Sequence, residues 1–119
     1  MITAFIALNL PTKHHDIAAI RDRFPRANIE TCEGRYNGEV ESSYTFTIKP
    51  DQIKALVALA SDHDQESILL ILDGDCWLFF ADGSSKVLRI PGTYSEVSKE
   101  KAQALPAYTE TKGRYFAVV

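Results

Sequence analysis

Gly34-Arg35-Tyr36-Asn37-Gly38-Glu39-Val40-Glu41-Ser42-Ser43-Tyr44-Thr45-Phe46-Thr47-Ile48 is a glycine-bounded turn that runs directly into a strand. The aromatic and β-branched run Tyr44–Ile48 is strand chemistry, and glycines with asparagine are turn chemistry. Alternate residues of a strand share a face. Glu39, Glu41 and Ser43 therefore point one way, and Val40, Ser42 and Tyr44 the other. A carboxylate held on a strand beside a tyrosine hydroxyl suits a cationic ligand. The same residues also decorate solvated strands and exposed turns, and both readings stand at this point. Two like charges on one face repel, so burying both would raise the pKa of one.

Working outward, Ile2–Leu10 is a short apolar run and reads as a buried first strand. Pro11-Thr12 opens a segment with Ile17, Ile20 and Phe24 at helical spacing, closed by Pro25. Ala27–Glu33 is expected to be a second strand before the Gly34–Gly38 turn, and Glu39–Lys49 the third. Pro50-Asp51-Gln52 starts a second helix, with Asp51 as its candidate cap and Ile53, Leu56, Val57 and Leu59 as its apolar stripe. Ser67–Leu72 is apolar on both faces and reads as a central strand. Asp73-Gly74-Asp75 is a hairpin signal leading to Cys76–Phe80. Asp82-Gly83-Ser84 leads to Lys86–Ile90. A Pro91-Gly92 turn, a short helical stretch and a hairpin around Thr111-Lys112-Gly113 complete the chain.

Strand, helix, strand, strand, helix, strand is the split βαβ order. It predicts an α+β, ferredoxin-like βαββαβ sandwich with a C-terminal β extension, two helices covering one face of an antiparallel sheet. Such a sheet leaves its second face open. Association is a usual way to cover it, so a symmetric oligomer is expected, and a trimer with inward-facing sheets suits the pattern.

The chain has 119 residues, a length that buries its own core as one domain, residues 1–119. A net charge of −3 and only thirteen scattered Lys and Arg residues argue against a nucleic-acid partner, which needs a basic face. No apolar run approaches a membrane span, and the start lacks the basic region of a secretion signal. A cytoplasmic protein is expected. Cys32 and Cys76 lack paired spacing and the three histidines (His14, His15, His63) do not complete a ligand set with them. Free thiols and no metal site are expected. Asp73 and Asp75 sit in a turn, where aspartate before glycine is ordinary. No nucleophilic triad, P-loop or dinucleotide fingerprint is present.

Arg89-Ile90-Pro91-Gly92-Thr93-Tyr94-Ser95-Glu96-Val97-Ser98-Lys99, the ending Gly113-Arg114-Tyr115-Phe116-Ala117-Val118, and Gly34-Arg35-Tyr36 followed by a glutamate that opens a strand resemble the bacteriophage S-adenosylmethionine-degrading enzymes. These were called hydrolases and are better described as S-adenosylmethionine lyases. The resemblance covers roughly the last two thirds of the chain. It implies a trimer of ferredoxin-like subunits with the ligand between neighbours, in the cytoplasm of an infected bacterium if the chain is phage-encoded. It implies Glu41 as the essential glutamate and Tyr36 as the active-site tyrosine. Asp73, Asp75, Tyr94 and Ser43 are the candidate substrate contacts, Asp73 or Asp75 coming from an adjacent chain to the ribose. In a lyase the substrate's own carboxylate attacks its γ-carbon, which requires no cofactor and no protein nucleophile. Two other functions compete: a non-catalytic trimeric nucleotide sensor resembling PII-like proteins, and a small phage inhibitor that binds a host enzyme through its acidic surface.

Overall fold

Nine strands, Ile2–Ile6 (β1), Glu30–Tyr36 (β2), Glu39–Ile48 (β3), Ser67–Leu72 (β4), Asp75–Phe80 (β5), Val87–Ile90 (β6), Tyr94–Val97 (β7), Ala107–Thr111 (β8) and Arg114–Val118 (β9), form one sheet in a computed structural model that describes residues 1–119. The sheet order is β6-β5-β4-β1-β3-β2-β8-β9-β7, and every neighbouring pair is antiparallel. Three helices accompany it, Lys13–Arg23 (α1), Ile53–Asp62 (α2) and Lys99–Gln103 (α3).

The core follows from strand period. Ile2, Ala4 and Ile6 alternate as buried residues along β1. They share a cluster with Tyr44, Phe46 and Ile48 of β3, Ile68 and Leu70 of β4, and Ile20, Phe24, Leu56 and Leu59 from the helical side. Each large aliphatic buried there contributes about 1.5–3 kcal/mol. Thr12 caps α1, its hydroxyl accepting from the His15 amide at 3.2 Å. At α2 a 3-10 turn, Pro50–Gln52, comes first. Gln52, not Asp51, supplies the side-chain acceptor there, its Oε1 receiving the Lys49 amide at 2.8 Å.

The expected ferredoxin-like sandwich of two helices over one sheet does not describe this molecule. It is mostly antiparallel sheet, a nine-stranded half-barrel with 44% strand, 24% helix and few short helices. The physical reason lies in the supposedly open face. Tyr94 on β7 meets Phe5 on β1 with ring centroids 5.7 Å apart, although β3, β2, β8 and β9 lie between them in the sheet. A flat sheet would hold these strands roughly 24 Å apart. The Tyr94 amide also donates to the Gly74 carbonyl in the β4–β5 turn at 2.9 Å. The C-terminal strands therefore curl over the face that β1, β3 and β4 turn away from the helices. Covering that face needs no second subunit.

The hairpin boundary also differs from expectation. Asn37 and Gly38, with φ of 50° and 86°, form the two-residue turn, so β2 continues through Gly34 and Arg35 to Tyr36. An Asn-Gly pair accepts positive φ at both positions and matches strand twist.

Candidate active site

Register carries the strand faces into the half-barrel. Phe5 pairs with Leu69 and Thr45, and Leu69 pairs with Leu78. On the other flank Glu41 pairs with Gly34, Gly34 with Thr109, and Thr109 with Phe116. Paired residues share a face, so all of these line the concave side. Between them lies a cleft of about 1400 Å³. One wall is apolar (Leu69, Leu78, Phe80, Ile90), and the opposite one carries Tyr94, Phe116 and Thr109.

At the mouth stands the projecting β2–β3 hairpin. Tyr36 pairs directly with Glu39, which makes Glu41 its diagonal neighbour on the same face, roughly 7 Å away and within reach of a tyrosine side chain. Both Tyr36 and Glu41 are exposed, Tyr36 to 67%. The Asn9–Lys13 loop, which follows β1 beside β3, also lines the cleft. Four carboxylates border the cleft (Asp16, Glu39, Glu41, Glu66), against two cations, Lys13 and Arg35. The bordering charge thus favours a cationic ligand.

Inside, Tyr94 stacks on Phe116 with centroids 5.7 Å apart and rings within 7° of parallel. Burial pushes its hydroxyl up to about 12, against a lowering hydrogen bond from Thr109. This ring is a neutral, fixed wall. Tyr44 is wholly buried, and its hydroxyl donates to Asp16 Oδ2 at 2.6 Å. Burial, and then the neighbouring Asp16 carboxylate, holds that phenol protonated well above the usual tyrosine range. Arg35 has a buried Nε with no partner, and its Nη2 is 3.8 Å from Glu33.

Of the residues singled out from sequence, Tyr36, Glu41 and Tyr94 meet at this cleft. Ser43 is half-buried on the same face of β3, its hydroxyl 3.1 Å from Cys32 Sγ. Asp73 and Asp75 lie at the other end of the half-barrel, since Leu72 pairs with Asp75 and Ile71 with Thr3, whereas Glu41 lies beyond the level of Ile6. Strand rise separates them from Glu41 by about 20 Å within one chain. Asp75 is paired with Arg89 at 2.9 Å. Both cysteines are free and buried. No helix is long and apolar enough to cross a membrane.

Sequence reasoning missed Asp16, the single buried charged residue. Its signal was present: Asp16 precedes Ile20 by four positions and so shares the buried helix stripe. The apolar wall of β4 and β5 was visible as strand but not as the lining of a cleft.

No curated protein matches the chain significantly. The family model described as the S-Adenosylmethionine lyase family matches residues 9–119, a span that holds the Asn9–Lys13 loop, the hairpin with Tyr36 and Glu41, and the Tyr94 wall. The chain belongs to the S-adenosylmethionine lyase family.

Proposed function

We propose that the protein is a phage-type S-adenosylmethionine lyase, converting S-adenosylmethionine to 5′-methylthioadenosine and homoserine lactone. By removing the methyl donor it would counter host restriction that depends on methylation. The observation that carries this reading, beside family membership, is an acidic rim set over an aromatic and apolar interior. A sulfonium cation with an apolar purine end matches that arrangement.

The chemistry is an internal displacement. The substrate carboxylate oxygen attacks the γ-carbon, the C–S bond breaks, and its electron pair leaves on sulfur as a neutral thioether. A carboxylate and a sulfonium cancel their charges on the way to the transition state. Water stabilises the separated charges of the reactant more than the transition state, so a dry cleft accelerates the step. The ammonium group keeps its charge throughout. Glu41 acts best on that group, because anchoring it orients the carboxylate for in-line attack without favouring the reactant sulfonium. Tyr36 orients the methionine part, and the Tyr94 ring shields the interior from water.

The exposed mouth needs a cover, and a neighbouring copy supplies it in this reading. Apart from the chain ends, the exposed large apolar residues are Tyr36 and Val40 on the hairpin, and Val87 and Leu88 on the edge strand β6. Arg35 pairs across from Val40, and Arg89 is held by Asp75, so exposed apolar side chains rather than net charge mark the two surfaces. Two different exposed apolar surfaces on one chain support a head-to-tail contact, the kind that closes into a ring. A homotrimer would bring one copy's Asp73 or Asp75 toward the next copy's ribose subsite, with Ser43 supporting the Glu41 strand. Light scattering at micromolar concentration should give a multiple of the 13.3 kDa chain, and a Leu88→Asp change should reduce it. A wild-type protein of single-chain mass would refute the shared site.

The decisive experiment is incubation with S-adenosylmethionine and chromatography of the products. Methylthioadenosine must appear for the reading to survive. Homoserine lactone before free homoserine identifies a lyase, and the reverse order a hydrolase.

A further inference from the structure

The Asn9–Thr12 loop and strand β3 both line the cleft, and one buried carboxylate ties them together. Asp16 sits in the first turn of α1 with 5% exposure. Its Oδ1 accepts the Leu10 amide at 3.0 Å, and its Oδ2 accepts the Tyr44 hydroxyl at 2.6 Å. No lysine or arginine pairs with it. Leu10 belongs to the loop, and Tyr44 lies on β3 three residues from Glu41. A buried carboxylate is retained only where its hydrogen bonds replace water, and bonds to an ionised acceptor are about twice as strong as neutral ones.

The loop has few other ties. Asn9 takes a left-handed φ of 57°, a conformation that asparagine adopts most readily after glycine. Gln65 Nε2 donates to the Leu8 carbonyl at 3.2 Å, which fixes the loop before its turn rather than after it. Past Asn9, Thr12 bonds only His15 within α1, and Asp16 is the one side chain that hydrogen-bonds both the loop and β3.

We infer that Asp16 is a positioning residue, which through Leu10 and Tyr44 sets the distance between the Asn9–Thr12 loop and the strand that carries Glu41. This role rests on the lyase reading of the cleft. It assigns Asp16 no contact with substrate. Its effect is to hold the cleft at the width at which the substrate's carboxylate and γ-carbon stay aligned.

Tyr44→Phe tests it, because the ring remains in the core while the hydroxyl is lost. Amide exchange at Leu10 should accelerate, and kcat for S-adenosylmethionine should fall about tenfold, well below the melting temperature. Asp16→Asn is the second variant, since it keeps one acceptor oxygen and nearly the same volume. Tyr44→Phe added to Asp16→Asn should then change kcat little further, because the two residues act as one unit. Wild-type kcat in Tyr44→Phe would overturn the inference, as would a reduced kcat with unaltered exchange at Leu10. Should the wild-type protein leave S-adenosylmethionine intact, the lyase reading fails on its own, and unaltered Leu10 exchange in both variants would separately remove the tie between the loop and β3.

Discussion

Glu41→Gln folds and assembles as the wild type does, yet turns over S-adenosylmethionine at least about a hundredfold more slowly. The two halves of that expectation have separate grounds. Structurally, Glu41 is exposed and makes no side-chain hydrogen bond or ion pair within the chain. Replacing such a residue by its isosteric amide stays within about 0.5 kcal/mol of stability. Functionally, the change removes a charge that the substrate's ammonium requires, at a mouth that the bound substrate and a covering copy would dry. Glu39→Gln provides the control, on the same face and two residues away at the turn. It should keep activity within a few-fold of wild type, because Glu39 closes the strand pairing at the hairpin tip, two residues further out than Glu41. Steady-state kinetics on both variants decides the matter. Full activity in Glu41→Gln would place the essential carboxylate elsewhere, and an equal loss in both would mean that only the general acidity of the rim matters.

How much of this was legible beforehand depends on the range of the interaction. Period-two alternation in β3 was visible because it repeats over adjacent residues, and it placed Glu41 and Tyr44 on opposite faces, whereas β1 was legible only as an apolar run. The hairpin tip was misplaced because Gly34 drew the turn forward, whereas Asn37-Gly38 holds the positive φ angles. The half-barrel was not visible. Its closure rests on Phe5 meeting Tyr94 and on Gly74 receiving the Tyr94 amide, contacts between distant segments with no local periodicity. The same strand and helix order accommodates a flat sheet with an open face or one curled over itself. Strand alternation and turn chemistry drew attention to Glu39, Glu41 and Tyr36, which all line the cleft mouth, but only the family resemblance separated Glu41 from Glu39. Asp16 was hidden because a first-turn aspartate ordinarily serves the helix dipole, and only the tertiary fold brings Tyr44 to it.

The turn from β6 into β7 makes one glycine unusually sensitive. Gly92 joins β6 to β7 with φ of +111°, and a Cβ there would lie 2.9 Å from Val118 Cγ1 and 3.0 Å from the Val119 carbonyl oxygen. That oxygen receives the Thr93 amide at 2.8 Å, and the Val119 amide donates back to Thr93 at 3.0 Å. Gly92→Ala must therefore disturb the two-way backbone pairing that extends the β7–β9 ladder, besides forcing a side chain into the left-handed region. Strain and overpacking together cost about 3 kcal/mol or more, which lowers Tm by roughly 10 °C in a domain of this size. Gly83 separates the two causes. Its φ is +88°, but nothing lies within 4 Å of an added Cβ, so Gly83→Ala carries the backbone strain without the collision. Thermal melts should place Gly92→Ala well below Gly83→Ala. Because Thr93 leads directly into Tyr94, kcat/KM should also fall in Gly92→Ala and not in Gly83→Ala. Similar melting temperatures for the two would show that the end of the β7–β9 ladder yields easily, and the position of Tyr94 would then rest on the Phe5 contact and the Gly74 hydrogen bond.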